Sequence, residues 1–88
     1  MILDEFLGEN DRIKILEELL GYTDYFLTVE EISRMADVSQ KRVQNHLKQL
    51  KDIGILEVEN KRFKLNKNDK RVLALGLIET HEFQRRLD

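Results

Sequence analysis

The stretch Val38-Ser39-Gln40-Lys41-Arg42-Val43-Gln44-Asn45-His46-Leu47-Lys48-Gln49-Leu50-Lys51-Asp52-Ile53-Gly54 decides the fold of this chain. Val43, Leu47 and Leu50 stand at i, i+4 and i+7, so they share one helical face, and Ile53 closes the last turn. Ser39 precedes the periodic run and is a good N-cap; Gly54 follows it and supplies the left-handed residue on which helices end. The spacing therefore predicts a helix over 40–53 with one thin apolar seam. Its remaining circumference is crowded with Gln, Lys, Arg and Asn.

The flanks extend this reading in both directions. Thr28-Val29-Glu30-Glu31 is a capping box, in which the Thr oxygen takes an orphan N–H and Glu31 reaches back. It opens a helix burying Val29, Ile32, Met35 and Ala36, and Asp37-Val38-Ser39 is a tight turn into the next helix: a helix-turn-helix unit. Upstream, Asn10 caps a helix through Leu20 with Ile13, Leu16, Leu19 and Leu20 inward and Gly21 as its stop. A short leading helix up to Gly8 rests on Ile2, Leu3, Phe6 and Leu7, and Tyr25, Phe26 and Leu27 can add a short strand.

Downstream, Ile55 to Leu65 alternates as a hairpin with a two-residue turn at Asn60-Lys61. That register pairs Glu59 with Arg62, Val58 with Phe63, Glu57 with Lys64 and Leu56 with Leu65, apolar partners on one face and opposite charges on the other. A final helix runs from about Asn68 to Leu87. Its segment Val72 to Ile78 is apolar around most of the helix and has to be covered on two sides. In so small a domain the second cover is most simply a copy of itself, met along Leu73, Leu77, Ile78 and Phe83, with Phe6 and Leu7 as possible additions.

Eighty-eight residues with a 41% apolar fraction suit one small folded domain, 1–88, with a core over 10–66 and a C-terminal dimerisation helix over 67–88. The absence of Cys removes disulfides and thiolate chemistry together, and two histidines are few for a metal or His-centred active site. The longest apolar run is too short to span a bilayer, and the N-terminus lacks the basic start of a signal peptide, so a cytoplasmic protein is expected. No Gly-rich phosphate loop or nucleophile–base constellation stands out, so an enzyme is not expected. The net charge of −2 conceals a segregation: residues 1–32 sum to −7, residues 33–71 to +6 and residues 72–88 to −1. One basic zone thus sits on an acidic body, and the local field governs phosphate contacts more than the total does.

The order helix, helix-turn-helix, short hairpin, long C-terminal helix resembles that of winged helix-turn-helix regulators of the ArsR and MarR type from bacteria and archaea: mainly α, with a small β-hairpin wing. Asp11-Arg12-Ile13-Lys14-Ile15-Leu16 resembles the "R-x-x-I-L" opening of their first core helix, and Val29-Glu30-Glu31-Ile32-Ser33 the start of the first motif helix. Ser39 to Leu50, ending in Gly54-Ile55-Leu56, resembles the "S-x-x-x-V-x-x-H-L-x-x-L" recognition pattern. The resemblance covers roughly residues 10–66 and implies a homodimeric repressor on a two-fold symmetric double-stranded DNA operator. The sensor cysteines of many ArsR relatives are missing, and Glu79 with His81 is only a fragment of the zinc site others carry, so neither metal nor cofactor is expected.

The side chains expected to meet DNA are Ser39, Gln40, Lys41, Arg42, Gln44, Asn45 and Lys48 on the recognition helix in the major groove. Lys61 and Arg62 on the wing (55–65) are expected against backbone or minor groove. Gln and Asn can pair bidentately with adenine, and Arg or Lys with guanine. The competing readings are a merely solvated helix face, and Arg62 and Lys64 that only answer Glu59 and Glu57 across the hairpin. His46 reads equally as a half-buried structural residue or a phosphate donor. The alternative function is a winged-helix adaptor for protein or RNA.

Overall fold

A computed structural model describes residues 2–87. Its order is α1 (Ile2–Leu7), α2 (Asp11–Gly21), β1 (Leu27–Thr28), α3 (Val29–Ala36), α4 (Gln40–Ile53), β2 (Leu56–Glu59), β3 (Arg62–Leu65) and α5 (Lys70–Leu87). The strands form an antiparallel sheet in the order β1-β3-β2. The architecture is the winged helix anticipated from the sequence.

Each cap in the recognition unit forms as its residues dictate. Asn10 accepts from the Ile13 N–H at 2.9 Å and starts α2. Thr28 and Glu31 close the reciprocal box, Glu31 N–H to Thr28 Oγ1 at 3.1 Å and Thr28 N–H to Glu31 Oε1 at 2.9 Å. The same hydrogen bonds hold the Glu31 carboxyl below its ordinary pKa, because they favour the charged form. Between α3 and α4 the chain turns through Asp37 at φ 56°, and the Ser33 hydroxyl donates to the Val38 carbonyl, so the turn is pinned by a side chain as well as by backbone. Gly54 ends α4 at φ 95°.

The hairpin has the register read from the sequence, Leu56 opposite Leu65 through Glu59 opposite Arg62. Asn60 and Lys61 both take positive φ, 51° and 60°, the type I′ geometry whose twist matches the strands. Leu27 pairs with Phe63 and Thr28 with Arg62, so the expected short strand begins two residues later than Tyr25 and joins the sheet as its third member.

The core gathers Ile15, Leu16 and Leu19 of α2, Ile32 and Ala36 of α3, and Val43, Leu47 and Leu50 of α4 under Leu27, Ile55, Leu65 and Val72. Ile15 is fully buried whereas Ile13 is only half-buried, so the inward face of α2 is turned from the expected one. Gly21 is the last residue of α2, as expected, with Tyr22 as its C-cap, and Ile53 is 48% exposed: the seam of α4 stops at Leu50. Leu20 and Met35 are half-buried at the margin.

Around α1 the structure holds a feature absent from the sequence reading. Glu17 is buried, and its Oε1 accepts the backbone N–H groups of Leu3 and Asp4. A carboxylate on α2 thus satisfies the first-turn donors of α1, and it favours the positive end of that helix dipole. Burial, with Glu17 nearby, pushes the carboxyls of Glu18 and Glu79 above their ordinary pKa.

Helix α5 is 18 residues long, yet among the described residues only Val72 of it is buried. Leu73, Leu77, Phe83 and Leu87 are 50–70% exposed, and Phe6 and Leu7 of α1 are similarly open. Of the expected seam, Ile78 alone is half-covered by the chain's own fold.

Candidate nucleic-acid interface

Helix α4 is seated by its Val43, Leu47 and Leu50 face and leaves the rest of its circumference in three rows. The wing-side row is Gln44, Lys48 and Lys51, again i, i+4, i+7. With Val29, Leu47, Val58, Phe63 and Lys61 it lines a groove of about 420 Å³ between α4 and the hairpin. The groove has an apolar floor and a rim of three lysines. Lys51 was missed by the sequence reading, although its spacing from Gln44 and Lys48 was there to be counted.

The outward row is Lys41 and Asn45. Both are exposed, and no described residue hydrogen-bonds or ion-pairs with either side chain. Gln40, in the first turn, is equally open. Ser39 is engaged as the N-cap, its Oγ accepting the Arg42 N–H at 3.3 Å, while its exposed edge remains accessible.

The third row, Arg42, His46 and Gln49, faces α2. Arg42 pairs through Nη2 with Asp11 at 2.8 Å while its side chain stays 66% exposed, so this expected DNA contact also has a partner within its own protein. Arg12 of α2 donates from Nε to His46 Nδ1 at 3.1 Å and from Nη2 to Gln49 Oε1. Burial, and next the Arg12 charge, hold the His46 pKa below its ordinary value. Two residues carrying the family resemblance, Arg12 and His46, therefore touch each other across 34 positions of sequence. Nothing in linear spacing announces such a contact.

At the wing, Lys61 stands at the tip and leans into the α4 groove, whereas Arg62 lies with Phe26, Glu59 and Asn60 in a recess on the opposite face of the hairpin. Among the described residues no ion pair joins Arg62 to Glu59 or Lys64 to Glu57. Lys64 instead sits 4.7 Å above the Phe26 ring. The cross-hairpin charge pairing is a matter of register rather than of contact.

Residues 9–58 match the model of the bacterial regulatory protein, arsR family. The chain belongs to that family. Its members are winged helix-turn-helix regulators, so DNA-binding transcriptional regulation is the activity of this ArsR-family chain. Its fold is similar to the crystal structure of MepR, a transcription regulator of the Staphylococcus aureus multidrug efflux pump MepA. That likeness has a TM-score of 0.66 at 22% identity and covers 97% of this chain and 67% of that one. Comparison with curated proteins gives no match. Among the described residues no cluster of His, Asp and Glu could hold a metal, and no helix is long and apolar enough to cross a membrane.

Proposed function

We propose that this ArsR-family chain is a homodimeric, sequence-specific regulator acting on double-stranded DNA in the cytoplasm. In this reading α4 enters the major groove and the β2–β3 hairpin rests on backbone or minor groove. The observation that carries it is the outward row of α4. Lys41 and Asn45 project with no protein partner from a helix whose other flanks are fixed by a packed seam and by Arg12. A helix held so firmly, with free amide and ammonium groups at its crest, suits direct readout, in which small errors of position forfeit bidentate pairing. An adaptor for protein or RNA has no need of that crest.

Homodimerisation is supported by the apolar stripe of α5. Leu73, Leu77, Phe83 and Leu87, flanked by Phe6 and Leu7, form an exposed surface that a two-fold copy would cover. The experiment is selection from random duplexes followed by sequencing. A palindromic consensus with half-sites about one helical turn apart, roughly 34 Å, is the expected result. Enrichment of no sequence, or of single-stranded RNA over duplex DNA, would overturn the reading.

A further inference from the structure

We propose that Arg12 holds His46 as a neutral imidazole with its proton on Nε2, and that His46 then donates to a DNA backbone phosphate on the α2 flank of α4. This rests on the reading of α4 as the major-groove helix. Arg12 is a positioning residue and His46 the contact.

The tautomer follows from donor and acceptor chemistry. A guanidinium has only N–H donors, so the His46 Nδ1 that receives Arg12 Nε at 3.1 Å must be the unprotonated nitrogen. In a neutral ring the proton then sits on Nε2. No described residue accepts from that atom, and it is not among the buried polar atoms. The second arm of Arg12, on Gln49 Oε1, fixes the guanidinium plane and so the aim of the ring. Burial and the Arg12 charge, with Arg42 adding and Asp11 opposing, shift the imidazole pKa below its ordinary value, in the direction that favours the neutral ring.

The need for such a donor follows from dimensions. A helix with its side chains is about 10–12 Å across, and the B-DNA major groove is about 12 Å wide, so the two flanks of a seated helix face phosphates of the two strands. On the wing flank Lys48, Lys51 and Lys61 are free to meet one strand. On the other flank Arg42 is paired through Nη2 with Asp11, and the half-buried His46 adds its Nε2–H as a donor toward the second strand. Asp11 and Arg12 from α2 and Arg42 from α4 are the charged groups that face the ring.

Imidazole nitrogen spectra of the free protein test the brace, in a His81→Gln background so that one ring is observed. The expected spectrum shows the Nε2–H tautomer, which gives way to a mixture in Arg12→Ala; an Nδ1–H tautomer in the parent would overturn the proposal. Binding to the selected duplex tests the contact. His46→Gln, which keeps a donor and an acceptor, should bind within about threefold; His46→Leu should weaken all sequences by about tenfold, the worth of one hydrogen bond to a charged group. Lys61→Ala is the control. If it weakens binding while His46→Leu does not, the phosphate contact is refuted and the DNA reading stands. If the parent binds no duplex at all, the DNA reading falls and the phosphate contact with it, while the spectra still decide the brace.

Discussion

Leu77→Ala tests whether α5 is a subunit seam. Leu77 is 70% exposed, so the substitution removes almost nothing from the chain's own core. Burial is worth about 0.8 kcal/mol per CH₂, and Leu→Ala removes three carbons. With 70% of the residue still open in the single chain, about 1.7 kcal/mol per copy remains to be gained on association. A two-fold interface presents the residue twice, which brings the loss to about 3.4 kcal/mol, roughly 300-fold in the dimer dissociation constant. Sedimentation equilibrium across a wide concentration range reads that shift directly. Urea unfolding of both proteins below their dissociation constants should give the same midpoint. A parent that sediments as a single chain at high concentration, or a Leu77→Ala dimer as tight as the parent, would refute the reasoning.

Three further outcomes follow from the geometry. Lys61→Ala should weaken binding to every duplex and lower the salt dependence by about one unit of slope; an unchanged slope in a salt titration would remove the wing tip from the interface. Gly54→Ala should destabilise the fold by about 1–2 kcal/mol. Its Cβ would meet nothing nearer than Arg71 Nη2 at 4.0 Å, so the loss is that of a left-handed backbone at φ 95°, and an unchanged urea midpoint would contradict it. Asp69 accepts from Arg71 through side chain and backbone, and its pKa is lowered from 3.8 to about 2. A depressed folded-state pKa stabilises above the unfolded value and is lost as pH falls, so Asp69→Asn should flatten the stability profile between those two values. An acid limb as steep as the parent's would show the bond to be inconsequential.

How much of this was legible in one dimension depended on how local each interaction is. The capping box at Thr28, the N-cap at Ser39, the left-handed end at Gly54 and the register across Asn60-Lys61 each involve neighbours in sequence, and all formed as the residues specify. Periodicity found the seam of α4 because Val43, Leu47 and Leu50 recur at the helical repeat. It failed at a margin, choosing Ile13 over Ile15, because which side of a short helix is buried depends on the element packed against it.

The amino-acid order alone determined the elements, the winged-helix plan and the polar make-up of α4, since those rest on backbone propensity and spacing. Tertiary structure alone decided how that polar face is divided. It tied Arg42 to Asp11 and His46 to Arg12, left Lys41 and Asn45 open, turned Lys61 toward the groove and Arg62 away from it, and sent Glu17 to the start of α1. Those pairings join side chains from distant parts of the chain, and a hydrogen bond exists only where packing has brought donor and acceptor within reach.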